Sequence, residues 1–230
     1  MSAAHPAANV AERVGDPSSA GEAANERTRG RSGVHDRLRR DTAELHARLE
    51  ETMRLDARLD SEESYRILLE RFFGVVTPME AELSRFAWPP DLSFAARARA
   101  HHLAQDLVRL GHSAESLADL PRCRDLPTLP TRAGAFGRLY VLEGSALGGR
   151  IILRAVKERL GRDASSGAAY FAGYGPATGS MWSGFLASLE RHVIRPKDVE
   201  EAVRGGLSTF AALDRWLGEA APSLTRRPGS

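Results

Sequence analysis

Apolar residues recur every three or four positions along most of this chain, and this periodicity limits the folds it can adopt. In the first clear segment, Leu38, Thr42, Leu45, Leu49 and Met53 fall on one stripe of an amphipathic helix. Comparable patterns continue into the C-terminal part of the sequence. Alternating strand patterns bounded by hairpin turns, and repeats of fixed period, do not occur in it. The sequence therefore predicts an all-α, single-domain, multi-helical fold of about seven to nine helices.

Local signals predict where several of these helices begin and end. Asp60, with Glu63 three positions later, has the spacing of a capping box at a helix N-terminus. A long helix is expected from Ser93, with Gly111 placed where a left-handed C-terminal cap would lie. A further helix is expected to end at Gly161.

Composition divides the chain into three parts. Residues 1–33 are rich in Ala, Gly, Ser and Pro and almost lack large apolar side chains, so we expect a disordered tail. Residues 34–221 form the predicted helical domain. Residues 222–230 are expected to be a frayed C-terminal tail.

Charge and cysteine content exclude several function classes. The net charge is only +2 with 27% charged residues, so acids and bases are interspersed and no basic stripe predicts a nucleic-acid partner. The single Cys123 excludes an internal disulfide and fits a reducing cytoplasm. No apolar run approaches the roughly 18 residues of a membrane span, and no signal-peptide core is present. We expect a cytoplasmic protein without a membrane or nucleic-acid partner.

The stretch YVLEGSALGGR, residues 140–150, places three glycines in a predicted helix. Gly144, Gly148 and Gly149 each cost about 1 kcal/mol of helix propensity relative to alanine. One explanation is close helix packing through small residues. The other is a planar ligand that lies against bare backbone.

One of the seven histidines stands out by its position. His46 lies on the flank of the first helical stripe, so its ring is expected to point toward the interior. Arg39 precedes it by seven residues on nearly the same face, about 10 Å along the helix. A flat ligand held at His46 with acidic groups at one edge would meet this cation. The alternatives are a half-buried histidine satisfied by a neighbour and a solvated surface arginine.

Two motifs carry a resemblance to a known family. LRRDTAELHARLE, residues 38–50, resembles the proximal-helix pattern of haem oxygenases. LYVLEGSALGG, residues 139–149, resembles the distal-helix pattern of bacterial haem oxygenases, including those associated with bacteriophytochromes. The two motifs occur in the right order and about a hundred residues apart. The resemblance implies the family's helical fold, with haem between a proximal and a distal helix.

The resemblance also implies roles for individual residues. His46 would be the axial ligand of the haem iron, and therefore both metal-binding and catalytic. Gly144, Gly148 and Gly149 would line the distal side of the haem and leave room for oxygen. Arg39 matches a basic position that meets a haem propionate, which its charge suits.

Ser145 is the one departure from the animal-type pattern, in which an aspartate directly follows the first distal glycine. The bacterial subgroup resembles this sequence in carrying serine, so Ser145 is included among the expected catalytic residues. A hydroxyl can orient one water but does not take up charge at neutral pH, which leaves the proton route unassigned. The adjacent Glu143 points about 100° away and is assigned a structural role.

The reaction implied by the resemblance uses haem as both cofactor and substrate. Haem is cleaved to biliverdin, carbon monoxide and iron with dioxygen and external electrons. Because no GxGxxG fingerprint precedes a helix, the electrons are expected from a separate reductase or ferredoxin. A bacteriophytochrome is a candidate acceptor of the biliverdin.

Three alternatives remain open from the residues alone. The first is a non-catalytic helical protein that binds haem or a bilin. The second is a di-iron enzyme, which would need an ExxH pair that this chain lacks; His102 and Asp106 are instead assigned to a solvated helix face. The third is a purely structural helical protein. Tyr170, Phe171 and Trp182 are assigned to the core rather than to the site.

Overall fold

The computed structural model of this protein describes residues 33–219, and they form an all-α domain without a strand in that range. The predicted fold class is confirmed. The predicted tails lie almost entirely outside the described residues. The helices, in chain order, are α1 (Val34–Met53), α2 (Leu55–Arg58), α3 (Glu62–Leu83), α4 (Ala100–Arg109), α5 (Ala114–Asp119), α6 (Arg132–Leu160), α7 (Thr178–His192) and α8 (Pro196–Gly218), with a 3₁₀ turn at Gly175–Ala177.

Two predicted helix ends are confirmed and one predicted cap is wrong. Gly161 and Gly111 both adopt left-handed backbone, with φ of 65° and 97°, after α6 and α4 respectively. The cap of α3, however, is Ser61 rather than Asp60. The backbone of Ser61 is extended, and its hydroxyl accepts a hydrogen bond from the amide of Ser64.

Helix α4 begins at Ala100, so the prediction of a helix from Ser93 is wrong. The reason is a carboxylate from another helix. Glu80 of α3 accepts hydrogen bonds from the amides of Arg99 and Ala100 at 2.7 and 2.9 Å, which satisfies the first free donors of α4. The preceding residues form turns, and this places the side chains of Arg97 and Arg99 inside the protein.

Asp106 corrects the assignment of the His102–Asp106 pair to a solvated face. His102 is partly exposed, but Asp106 is fully buried. Its carboxylate accepts from the amides of Ala169 and Tyr170 at 2.8 and 2.9 Å. Burial raises the pKa of Asp106, and the two N–H donors partly offset that effect. This carboxylate fixes the turn at residues 168–171 onto α4.

Glycines bring α6 and α8 into backbone contact. A Cβ added at Gly137 would overlap the carbonyl of Ala202, and one added at Gly205 would overlap the carbonyl of Gly134. The same face of α8 also receives α1, since Gly206 lies against Leu38 and Thr42. Helix α8 therefore supports both α1 and α6.

No helix in residues 33–219 is both long enough and apolar enough to cross a membrane.

The glycine contact generates a prediction about stability. Gly205→Ala is expected to lower the free energy of unfolding by about 3 kcal/mol and the melting temperature by about 10 °C, because the two helix backbones must separate. Gly179→Ala, near the start of α7, is the matched control, since a Cβ added there would meet no atom within 4 Å apart from its own helix backbone. We expect that control to change stability by less than about 1 kcal/mol. Thermal melts of both variants, followed by circular dichroism, would disprove the tight contact if their melting temperatures agreed.

Candidate functional site

A cavity of about 690 Å³ lies between α1 and α6. Its walls also include side chains of α3, α7 and α8 and of the turn at residues 168–171. Most of these side chains are aliphatic or aromatic. Among the described residues that line it, Arg39 is the one arginine or lysine and Glu50 is the one carboxylate. A mainly apolar chamber with few polar groups is typical of a site for a largely hydrophobic ligand.

His46 lines this cavity from α1. Its side chain is 57% exposed, and its Nδ1 lies 3.6 Å from a carboxylate oxygen of Glu50. The ring packs edge-on against Phe210 of α8, with the centroids 5.5 Å apart. Among residues 33–219, no partner lies within hydrogen-bond distance of this imidazole in the structure. A histidine whose Nδ1 faces a carboxylate presents Nε2 to a ligand.

The N-terminus of α1 is held by a charged side chain from α7. Glu190 accepts hydrogen bonds from the amides of Val34 and His35 at 3.3 and 2.9 Å. The carboxylate thus satisfies free donors and complements the positive end of the helix dipole. This contact and the packing of α1 on α8 together set where His46 lies.

Arg39 lines the same cavity and lies about two helical turns before His46 in α1. Its side chain is 74% exposed, and its nearest carboxylate, that of Asp36, is 3.8 Å away. Burial raises the pKa of the neighbouring Tyr140 phenol, and the charge of Arg39 opposes that rise. An exposed, weakly paired guanidinium at a cavity edge remains available to an anionic group.

The glycines of α6 have two different environments. A Cβ added at Gly144 or Gly148 would meet no atom within 4 Å, apart from its own helix backbone, so both face open space. A Cβ added at Gly149 would lie 2.9 Å from the carbonyl oxygen of Phe171. Helix α6 continues without interruption past all three. Thus the open-wall explanation fits Gly144 and Gly148, whereas Gly149 allows close packing of the turn.

Ser145 lines the cavity beside these glycines. Its hydroxyl donates to the carbonyl of Leu142 at 2.7 Å and accepts from Arg99 at 3.1 Å. The neighbouring Glu143 does not line the cavity. It is buried, pairs with Arg97 at 2.7 Å and accepts from the hydroxyl of Tyr174 at 2.6 Å. Burial raises the pKa of Glu143, with Tyr174 and Arg97 opposing the rise.

Sequence reasoning missed the aromatic part of the lining. Phe72, Tyr170, Phe171 and Trp182 all line the cavity, although the last three were assigned to the core. Tyr170 and Phe171 belong to both regions, since each is at most 3% exposed. They lie on a turn whose position depends on Asp106, a contact distant in sequence. The one sequence signal for them was Gly149, whose missing side chain admits this turn.

In the range that the structure describes, no three His, Cys, Asp or Glu side chains group together as a metal site. The cavity instead offers one imidazole, one exposed guanidinium and a stretch of bare helix backbone. This donor set suits a planar ligand whose metal needs a single protein nitrogen.

The family model described as "Heme oxygenase" matches residues 32–219. The chain belongs to the haem oxygenase family. Haem is therefore its substrate, and the protein is an oxidoreductase that degrades haem. The di-iron and purely structural alternatives are excluded by this membership.

Individual haem oxygenases resemble the chain in sequence and in fold. The heme oxygenase of Xanthomonas campestris pv. campestris is 29% identical over 152 residues, which is 65% of this chain and 86% of that protein. The NO- and CO-bound heme oxygenase of Neisseria meningitidis shares the fold with a TM-score of 0.65 and 23% identity, covering 84% of this chain and 98% of that one. The heme oxygenase of Leptospira interrogans aligns with a TM-score of 0.70 and 16% identity, covering 82% and 100% respectively.

The two glycine environments of this haem oxygenase predict opposite effects of alanine. Gly148→Ala is expected to raise the free energy of unfolding by about 0.5–1 kcal/mol, because the new methyl group meets open space and helix propensity improves. Gly149→Ala is expected to lower it by about 1 kcal/mol, because overpacking against the Phe171 backbone outweighs the same gain. Urea unfolding of the haem-free variants measures both. Equal shifts for the two variants would contradict the difference between the two positions.

Proposed function

We propose that His46 ligates the iron of haem in this cavity, with the bare backbone of Gly144 and Gly148 forming the opposite wall. The observation that supports this proposal most strongly is that one imidazole without a hydrogen bond to any described residue and two uncovered glycines line a single apolar chamber. The residues fit the group, since haem has an apolar ring, an iron that accepts one axial nitrogen, and acidic groups at one edge.

The chain prepares the imidazole for this role. Glu50 faces Nδ1, which favours the tautomer with the proton on that nitrogen and the lone pair on Nε2. A neutral imidazole does not push electron density toward the iron as a thiolate does. His46 would therefore hold haem through a neutral nitrogen donor.

Arg39 is proposed to bind a propionate of the substrate. Its exposed guanidinium lies at the edge of the chamber with only a weak contact to Asp36. A guanidinium bonds a carboxylate with charge-assisted hydrogen bonds, so Arg39 would hold one acidic group of haem at the edge of the chamber and help to orient the substrate.

The wall formed by α6 is proposed to admit dioxygen while excluding side chains. Gly144 and Gly148 leave space on the α6 side of the chamber, and Gly149 lets the turn carrying Phe171 close one side of it. When bound, haem supplies the iron that binds and activates dioxygen. The chain supplies a dry, apolar enclosure and the Ser145 hydroxyl, which can orient one water molecule.

We also propose that the electrons come from a separate reductase or ferredoxin. The sequence has no dinucleotide-binding fingerprint, and Ile151, which lines the cavity, is 73% exposed. The chamber therefore opens to the surface beside α6, where a partner protein can approach the edge of the haem ring.

We also propose a cytoplasmic location, which fits the single cysteine. A bacteriophytochrome remains our candidate acceptor of biliverdin.

The role of His46 predicts a spectroscopic result. Wild-type protein mixed with one equivalent of hemin is expected to give a Soret band, which a reductant in air should replace with biliverdin absorbance. His46→Ala is expected to lose this His-ligated spectrum and the turnover. His101→Ala is the matched control, because it removes an exposed histidine outside the lining.

The same experiment separates the outcomes. Hemin binding that does not depend on His46 would overturn its assignment as the ligand. A His46-dependent spectrum that survives reduction in air would contradict turnover under these conditions and favour a carrier of haem.

A further inference from the structure

Arg99 is a buried cation without an ion pair. Its residue is 3% exposed. Among residues 33–219, no carboxylate oxygen lies within 4 Å of its guanidinium. Burial of a charge is unfavourable unless hydrogen bonds and opposite charges offset it, and arginine does not escape by losing its proton. Arg99 is instead stabilised by hydrogen bonds to uncharged groups and by the more distant carboxylates of Glu143 and Glu80.

Arg97, two residues earlier, shows the ordinary solution. It is buried to a similar degree, but it forms an ion pair with Glu143 at 2.7 Å and donates to the carbonyl of Met181. The same short segment therefore carries one arginine in a close ion pair and one whose guanidinium, among the described residues, donates only to uncharged groups, with the carboxylates of Glu143 and Glu80 acting from farther away.

The position of the Arg99 side chain is closely fixed. Its own backbone amide is bound by Glu80 of α3, and its guanidinium lies 4.9 and 5.4 Å from the ring centroids of Tyr170 and Tyr174. These rings offer their negative faces to the cation but do not neutralise it.

The guanidinium ends at the cavity wall of α6. One nitrogen, Nη2, donates to the carbonyl of Leu142 at 2.7 Å and to the hydroxyl of Ser145 at 3.1 Å. Ser145 itself donates to the same Leu142 carbonyl at 2.7 Å. That carbonyl thus receives two side-chain donors at once.

This double contact allows the serine hydroxyl to turn away from the Leu142 carbonyl, and a hydrogen bond to the Tyr170 phenol shows that the hydroxyl can donate elsewhere. If the hydroxyl of Ser145 rotates toward the cavity, the carbonyl of Leu142 loses one donor but keeps the hydrogen bond from Arg99. The hydroxyl also continues to accept from a cation, which strengthens it as a donor to a third group. A negatively charged group opposite His46 would benefit from both effects.

We propose that Arg99 is a positioning residue that turns Ser145 into a hydrogen-bond donor for an anionic ligand on the iron of bound haem. Ser145 occupies the position at which the animal-type pattern has an aspartate. Here that position carries a hydroxyl, and the positive charge of Arg99 lies next to it. This inference rests on the proposed placement of haem between His46 and the glycines of α6.

Fluoride is the probe, because it is a small anion that binds ferric haem and accepts hydrogen bonds. Full-length protein loaded with hemin is titrated with fluoride at fixed pH and salt, and the dissociation constant is read from the visible spectrum. Arg99→Met and Ser145→Ala are each expected to weaken fluoride binding about tenfold, the effect of one charge-assisted hydrogen bond. The double variant is expected to be no more than about twofold weaker than either single variant, because Arg99 acts through Ser145.

Two further variants separate charge, contact and general damage. Arg99→Lys keeps the charge but not the two-pronged contact, and is expected to recover part of the affinity. Arg195→Gln combined with Asp198→Asn removes an ion pair at the start of α8 without changing the net charge. Neither residue lines the cavity, so the fluoride affinity of this control is expected to stay within about twofold of wild type.

A second readout covers the case in which Arg99→Met does not fold. The C–O stretching frequency of the ferrous carbon monoxide complex falls when a donor points at the ligand. Ser145→Ala and Arg99→Lys are therefore both expected to raise it. An unchanged frequency in both, or unchanged fluoride affinity in a folded Arg99→Met variant, would overturn the proposal.

The controls also distinguish this proposal from the function beneath it. If hemin fails to bind through His46, the placement of haem is wrong. If hemin binds through His46 but neither ligand responds to Arg99 or Ser145, only the role of Arg99 is wrong.

Discussion

The backbone contact between α6 and α8 determines the rest of this structure. Gly137 and Gly205 let the two helices approach until carbonyl groups of one occupy the space that a side chain would fill on the other. Because α1 rests on the same helix α8, α1 and α6 become two walls fixed to one support. The space left between these walls is the chamber that His46 and Ser145 line. The site is therefore a product of how two helices share a third.

Glycine has two opposite uses in α6. At Gly137 and Gly149 it admits neighbouring backbone, whereas at Gly144 and Gly148 it keeps a wall uncovered. Both uses forfeit about 1 kcal/mol of helix propensity per residue. In the first group, packing over the whole contact offsets this loss. In the second group no described residue lies close enough to offset it, which is the cost expected if Gly144 and Gly148 serve the proposed ligand site.

The sequence predicted the regular parts of the site and missed the irregular ones, for physical reasons. His46, Arg39 and the glycines of α6 lie on long helices, where a period of 3.6 residues determines which side chains share a face. The roles assigned to them remain predictions. Tyr170, Phe171 and Arg99 lie outside helices, and their positions depend on Asp106 and Glu80. These carboxylates act across 63 and 19 residues of sequence, and no local pattern reveals such contacts. The same effect moved the start of α4 from Ser93 to Ala100.

The turn at residues 168–171 has a consequence for how the chamber responds to ligand. Its amides are bound by Asp106, which does not line the cavity, and Tyr65 donates to the carbonyl of Gly167 at 2.8 Å just before it. The aromatic side chains on this turn are thus held by contacts that involve no ligand. A wall built in this way is preorganised, so the conformational entropy of ordering it is lost during folding and not again at each binding event. For an enzyme that consumes the molecule it binds, an empty chamber that keeps its shape is ready for the next substrate.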